Sequence, residues 1–152
     1  MTTHRYSTAL RWSGSTAVGY EGYSRQHHLV VGPEALAASA DHAFLGDPAR
    51  VNPEQLLLAA ATSCQLLSFL AVAARARVDV VDYTDDASAV MPEDEPPLRL
   101  TAITLRPRIT VTGAPPRAKV ERLVEVAHRE CFIARSLTSQ ITLEPTILGC
   151  AD

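Results

Sequence analysis

The chain has 152 residues, 47% of them hydrophobic, so it can bury one sizeable core but is short for two full domains. We therefore predict a single domain over residues 1–152. Its 14 basic and 17 acidic residues leave a net charge of −3, which offers no general attraction to nucleic acid or an anionic membrane surface. The N-terminal stretch MTTHRYSTAL lacks the apolar run of a secretory peptide, so a cytoplasmic location is expected.

The N-terminal third combines short apolar stretches with a strong helix start. Between Tyr6 and Val31, glycines separate these stretches, a pattern typical of two or three antiparallel strands. Residues 33–51 hold glycine and proline without a clear hydrophobic period and are predicted to form a connecting loop. Asn52, Pro53 and Glu54 then suit a helix cap, a first helical position and the positive end of the helix dipole. The predicted helix continues to about Ala76.

Within this helix, Leu56 to Ala74 runs for 19 residues without a charge, which is long enough for a membrane span. The segment also contains threonine, serine, glutamine and many alanines, and it stands alone in a chain of low mean hydropathy. A helix that is apolar around most of its circumference is typical of the centre of a protein core. We therefore predict a core helix and no membrane partner.

The second half of the chain predicts strands on either side of another helix. Residues 78–90 and 98–112 are predicted strands, the latter with a buried face and a bulge near Ala102. The buried face holds Ile103, Leu105, Ile109 and Val111. A helix beginning near Pro115 and Pro116 places Cys131 on its buried side, and residues 140–148 form a last strand. The predicted class is α+β, with two helices on antiparallel sheet.

The three cysteines, Cys64, Cys131 and Cys150, are the candidate reactive groups. They do not form a CxxC pair, and an odd count does not fit a secreted disulfide framework. Each could equally be a small buried hydrophobe, and burial raises the pKa of a thiol, so a reactive Cys64 needs a cation nearby. Cys64 and Cys131 are 67 residues apart, and only tertiary packing could bring them together.

Histidines raise the question of a metal site. His27 and His28 are adjacent, and His128 lies three residues before Cys131, on the same helix face. Only two ligands are spaced locally in each case, and nothing supplies a third and fourth. We expect neither a metal nor another cofactor.

The segment NPEQLLLAAATSC, followed later by AHRECFIARSL, resembles the OsmC/Ohr family of osmotically inducible and organic hydroperoxide resistance proteins. The similarity extends over nearly the whole chain. The family pattern has an Asn-Pro-Glu helix start, a cysteine ten residues after the glutamate, and a second cysteine in the later helix. Asn52, Pro53, Glu54, Cys64 and Cys131 all match it.

The resemblance implies an OsmC-like fold, in which antiparallel sheets pack on two central helices and two chains form an intertwined homodimer. It also implies a thiol peroxidase that reduces organic hydroperoxides, with Cys64 as the peroxidatic thiol and Cys131 as the resolving thiol. A dithiol such as a lipoylated protein or dihydrolipoamide would then reduce the Cys64–Cys131 disulfide. No metal, flavin or haem is implied.

The resemblance further implies a glutamate and an arginine that activate the peroxidatic cysteine. Glu54 matches the glutamate. The stretch SGSTAVGYEG, where the Ohr branch has its arginine, contains none, so Arg25 is the first candidate and Arg50 the second. In a straight helix Glu54 lies roughly 15 Å along the axis and about 80° around it from Cys64. Contact would need a break in the helix, a bridging arginine or a second subunit, and we favour a site at a homodimer interface.

Two other functions are compatible with the same residues. A thiol redox sensor would form the same disulfide but react once and pass the signal to a partner. A non-catalytic ligand-binding or structural dimer would keep the fold and bury both cysteines.

Overall fold

The computed structural model describes residues 1–151 and divides the chain into two compact units. The N-terminal unit is Met1–Leu57, and the C-terminal unit begins at Leu58. The predicted α+β class is confirmed. The prediction of a single domain stays a prediction.

The N-terminal unit contains a three-stranded antiparallel sheet in the order β1-β2-β3. Its strands are β1 (Thr8–Arg11), β2 (His27–Val31) and β3 (Glu34–Ala38). The predicted antiparallel strands before residue 31 are confirmed, but the prediction that residues 33–51 form only a connecting loop is wrong. Gly32 adopts a φ of 59°, which reverses the chain within two residues, and Glu34 pairs directly with Val31.

Helix α1 (Pro53–Arg75) begins as predicted. The Asn52 side chain accepts a hydrogen bond from the Gln55 amide at 2.8 Å, and the Gln55 side chain accepts one from the Asn52 amide at 3.0 Å. This reciprocal pair satisfies two backbone donors that a helix start leaves free. The helix ends where Arg77 turns left-handed, at a φ of 56°, and the Val78 amide bonds back to the Ala73 carbonyl at 2.9 Å.

The C-terminal unit contains two further three-stranded sheets, ordered β4-β7-β9 and β5-β6-β8. Their strands are β4 (Asp79–Asp85), β5 (Ser88–Val90), β6 (Ala102–Leu105), β7 (Pro107–Thr112), β8 (Gln140–Leu143) and β9 (Thr146–Leu148). The second helix, α2 (Arg117–Glu130), lies between β7 and β8 in sequence. The connection through α2 is long enough for the chain to return in its original direction, and β6 pairs with β8 and β7 with β9 in parallel. The sheets of this unit are therefore mixed, whereas the sequence predicted antiparallel pairing.

Each of the three long strands predicted in this half is divided into two strands that belong to different sheets. The division in residues 98–112 falls at Arg106, whose guanidinium bonds the Ser88 hydroxyl at 2.9 Å and pairs with Glu144 at 2.9 Å. The predicted buried face is confirmed on both sides of this point. The predicted bulge near Ala102 is wrong, because the register shift lies in β4 between Val80 and Asp82.

The core of the C-terminal unit is formed by both helices and the β4-β7-β9 sheet. Its fully buried side chains include Phe69 of α1, Ile109 of β7 and Val120 of α2. α1 is the one helix in the described residues whose length and hydropathy would allow it to cross a membrane. That test alone is weak, since the core helix of a globular protein also passes it.

Candidate active site

Cys64 is half-buried on α1 and faces a cavity of about 610 Å³. One face of α1 lines the cavity. Its residues follow Cys64 at intervals of three and four positions and therefore lie on the same side of the helix: Leu67, Ser68, Ala71 and Arg75. A different face carries Phe69, Val72 and Ala73 into the core. Cys64 is therefore a wall residue of a cavity and not a core residue.

Cys131 ends α2 and is 1% exposed. Its backbone turns extended there, and the chain enters a short loop with a single helical turn at Ala134–Ser136. In this loop the Ile133 amide donates to the Cys64 sulfur at 3.5 Å, and the Ala134 amide donates to the Cys131 sulfur at 3.4 Å. One short segment thus provides a backbone donor to each sulfur.

Both thiols are free, and each shifts the pKa of the other. Burial raises the pKa of Cys64, but hydrogen bonds from Cys131, from the Ile133 and Phe132 amides and from Ser68 outweigh burial and lower that pKa overall. Burial raises the pKa of Cys131 to about 11, and the adjacent Cys64 adds to this shift. Cys64 is therefore the thiol of the pair that loses its proton more readily, and Cys131 is the one that keeps it.

Replacing Ser68 by alanine is expected to raise the pKa of Cys64, because one donor to the thiolate is lost. At pH 7 the smaller thiolate fraction should slow alkylation of Cys64 by about threefold, as for a hydrogen bond worth roughly 0.5–1.5 kcal/mol. The measurement is the iodoacetamide rate against pH in a Cys150→Ser background. In every protein the rate should fall as the pH falls through the Cys64 pKa.

Ser63→Ala is the matched control, since Ser63 lines the same cavity but is not among the groups bonded to Cys64. It should leave the pH profile unchanged. Equal alkylation profiles for Ser68→Ala and the wild type would contradict the assigned hydrogen bond.

Gln65, next to Cys64, is 1% exposed and connects the two helices. Its side-chain amide donates to the Val124 carbonyl of α2 at 3.3 Å. This bond ties the helix that carries Cys64 to the helix that ends at Cys131. Sequence reasoning did not identify this role, although a glutamine inside an uninterrupted apolar run indicates a buried polar contact.

The remaining cavity wall is apolar, with charged groups at three positions. Leu67 and Phe132 line it, whereas Phe69 is a core residue. The charged residues are Arg75, Glu130 and Arg135, and Arg75 pairs with Glu130 at 3.7 Å. Neither arginine is among the site residues predicted from the sequence, although Arg135 lies four residues beyond Cys131.

Glu54 lies in the first turn of α1, and one of its carboxylate oxygens is buried without a hydrogen-bond partner among residues 1–151. α1 is continuous from Pro53 to Arg75, so the predicted alternative of a break between Glu54 and Cys64 is wrong. No basic side chain among residues 1–151 forms an ion pair with Glu54.

Arg25 lies in the N-terminal unit. Its guanidinium donates to the Tyr23 and Tyr20 carbonyls, both at 2.6 Å, and lies 3.9 Å from the centre of the Tyr23 ring. Arg50, the second candidate, pairs with Asp47 at 3.2 Å. All described contacts of both arginines are thus within their own unit, and an activating role for either stays a prediction.

The histidines and Cys150 do not form a second candidate site among the described residues. Within residues 1–151, no group of three or more His, Cys, Asp or Glu side chains is placed to hold a metal ion. Cys150 packs, partly buried, against the core of the C-terminal unit and does not line the Cys64 cavity.

Comparison with known proteins places this site in a family context. The family model described as OsmC-like protein matches residues 46–146. An OsmC-like protein of unknown function from Vibrio cholerae is 28% identical, with a TM-score of 0.85 over 95% of this chain and 100% of that one. No curated protein matches the chain in sequence.

Two solved structures of organic hydroperoxide resistance proteins share the fold. The one from Elizabethkingia anophelis, with bound thiocyanate, is 18% identical, with a TM-score of 0.70 over 97% of this chain and 99% of that one. The one from Legionella pneumophila, named OsmC, is 17% identical, with a TM-score of 0.67 over 96% and 99%.

Proposed function

The chain belongs to the OsmC-like protein family, and from this premise we propose that it is a thiol peroxidase that reduces organic hydroperoxides to alcohols. The observation that carries the proposal is that adjacent backbone amides, of Ile133 and Ala134, donate to the sulfurs of Cys64 and Cys131, and that Cys64 is open to a cavity. The pKa values of the two thiols also shift in opposite directions. Such a pair suits peroxide reduction, because one thiolate attacks the peroxide and the second thiol then converts the resulting sulfenic acid to a disulfide.

In the first step the Cys64 thiolate attacks the distal peroxide oxygen. The S–O bond forms as the O–O bond breaks, and the leaving alkoxide takes up a proton to become an alcohol. Cys64 is left as a sulfenic acid, oxidised by two electrons. The Ile133 amide and the Ser68 hydroxyl stabilise the thiolate before attack, which keeps a reactive fraction present near neutral pH.

In the second step Cys131 attacks the Cys64 sulfur. The S–S bond forms as the S–O bond breaks, and the hydroxide leaves as water with the proton that Cys131 releases. An external dithiol, such as a lipoylated protein or dihydrolipoamide, then reduces the disulfide by two electrons. The protonated state of Cys131 suits this order, since it keeps the resolving sulfur from competing for peroxide.

Glu54 and Arg25 are proposed as the activating pair. Glu54 has a buried oxygen that lacks a partner among the described residues, and such an oxygen favours a nearby cation. The Arg25 guanidinium uses two of its donors on backbone carbonyls and retains others for a carboxylate or a peroxide. We place this reaction in the cytoplasm, where dithiol reductants are present.

A homodimer is part of the proposal. Only 28% of the most apolar window of α1 is buried, and large apolar side chains of both units are exposed: Leu10 at 65%, Leu67 at 63% and Phe132 at 77%. Surfaces of this kind favour association. Sedimentation equilibrium should give about twice the 16.4 kDa chain mass, whereas a fully active monomer would contradict the dimer.

The test of the function is steady-state consumption of cumene hydroperoxide with dihydrolipoamide as reductant. Repeated turnover supports a peroxidase. A single stoichiometric oxidation of Cys64 would indicate a redox sensor. No reaction with peroxide or with thiol-labelling reagents would indicate a non-catalytic dimer.

A further inference from the structure

The cavity beside Cys64 has two chemically different parts. Most of its wall is apolar, from alanines of α1 together with Leu67, Phe132 and Ile133. Charged groups come only from the last turn of α1 and from the end of α2 with the following loop: Arg75, Glu130 and Arg135. A volume of about 610 Å³ is in the range of small-molecule sites. A ligand that fills it therefore meets both an apolar wall and a charged edge.

The two arginines at this edge are not equivalent. Arg75 is neutralised by Glu130 at 3.7 Å. The exposed Arg135 guanidinium makes no hydrogen bond or ion pair with any residue in the described part of the chain. One net positive charge, located at Arg135, thus remains beside an otherwise apolar cavity. A guanidinium offers paired N–H donors that match the two oxygens of a carboxylate.

We propose that Arg135 is a specificity-determining residue that selects hydroperoxides carrying a carboxylate or similar anionic group on an apolar chain. The chain lies along the apolar wall, and the anionic group reaches Arg135 while the peroxide is at Cys64. This inference rests on the proposed peroxidase function and goes beyond it, because it assigns a charge preference and the residue responsible.

The test compares an ω-hydroperoxy carboxylate with its methyl ester, which differ in charge at the head group. In the wild type kcat/KM should favour the acid by about threefold to tenfold at low salt, with a smaller ratio at high salt, as for a partly exposed ion pair. Arg135→Gln should reduce the ratio of kcat/KM for the acid to kcat/KM for the ester to about one. The change should be mainly a higher KM for the acid, since the contact between the carboxylate and Arg135 is equal in the ground and transition states. Its kcat/KM for the ester should fall by a smaller factor than its kcat/KM for the acid.

Two further variants sharpen the test. Arg129→Gln removes an exposed positive charge from the last turn of α2 but outside the cavity wall, and it should keep the wild-type ratio. Glu130→Gln frees Arg75 and should increase the preference for the acid. A wild-type ratio of one or below, or an Arg135→Gln ratio equal to that of the wild type, would overturn the proposal.

The outcome for specificity can be separated from the outcome for catalysis. Turnover of cumene hydroperoxide, which carries no charge, tests the peroxidase function alone. Should no protein turn it over, calorimetric binding of the matching ω-hydroxy carboxylate and its ester to the Cys64→Ser protein still tests Arg135. Tighter binding of the acid that is lost in the Cys64→Ser/Arg135→Gln double variant supports the proposal, and equal binding of acid and ester overturns it.

Discussion

Replacing Cys64 by serine is expected to lower the turnover of organic hydroperoxides by at least about a thousandfold, because a hydroxyl has no anionic form near neutral pH to attack the peroxide. Neither remaining thiol can replace it. Cys131 is buried, with its pKa raised to about 11, and Cys150 packs against the core away from the cavity wall. The measurement is the steady-state rate with cumene hydroperoxide and dihydrolipoamide.

Replacing Cys131 by serine should have a different result. The hydroxyl can still donate to the Cys64 sulfur, so the first oxidation should proceed, but no disulfide can form. One equivalent of alcohol is expected as the sulfenic acid forms at Cys64, and a second equivalent as excess hydroperoxide oxidises it to the sulfinic acid. Mass spectrometry of the oxidised protein detects both species.

Cys150→Ser is the control for these two variants and should retain full turnover. Activity of Cys64→Ser or Cys131→Ser close to that of the wild type would remove the two-cysteine mechanism. Loss of activity in Cys150→Ser with its fold intact would show that the resolving thiol is misassigned.

Replacing Phe69 by alanine is expected to reduce the free energy of unfolding by about 3–5 kcal/mol, the range for large-to-small changes of buried aromatic residues. Phe69 is 0% exposed at the centre of the α1, α2 and β7 core, and its ring centre lies 6.0 Å from that of Tyr83. Removing the ring leaves a cavity that close packing does not refill. Urea unfolding followed by far-UV circular dichroism measures the change.

Phe69→Leu is the matched control, because it keeps an apolar side chain of nearly the same length. Its cost should be smaller, roughly 1–1.5 kcal/mol. A loss below about 1 kcal/mol for Phe69→Ala would mean that this side chain is not the core element described.

Local signals in the sequence were sufficient for the helices. Asn52 predicted the start of α1 because the cap and the first turn are satisfied by residues three positions apart. The spacing of Val120, Val124 and Ala127 predicted the buried face of α2 for the same reason, since a helix closes its hydrogen bonds within four residues. The alternation of Ile103, Leu105, Ile109 and Val111 predicted a buried strand face. The family motif added the proposed roles of Cys64 and Cys131, which periodicity alone leaves open.

Tertiary structure decided what depends on residues far apart in sequence. The alternation of apolar and polar residues does not show that the strands on either side of Arg106 belong to two different sheets. It also does not show that β6 and β7 pair in parallel with β8 and β9, which follow α2 in the sequence. The meeting of Cys64 with Cys131, the Ile133 amide at the Cys64 sulfur and the unpaired charge of Arg135 at the cavity likewise arise from packing α1 against the end of α2. The sequence by itself therefore determined the helices, the buried faces and the two candidate reactive residues. Only the folded chain determined the sheet partners, the opposite pKa shifts of the two thiols and the chemistry of the cavity, because these depend on distances that local hydrogen bonding does not set.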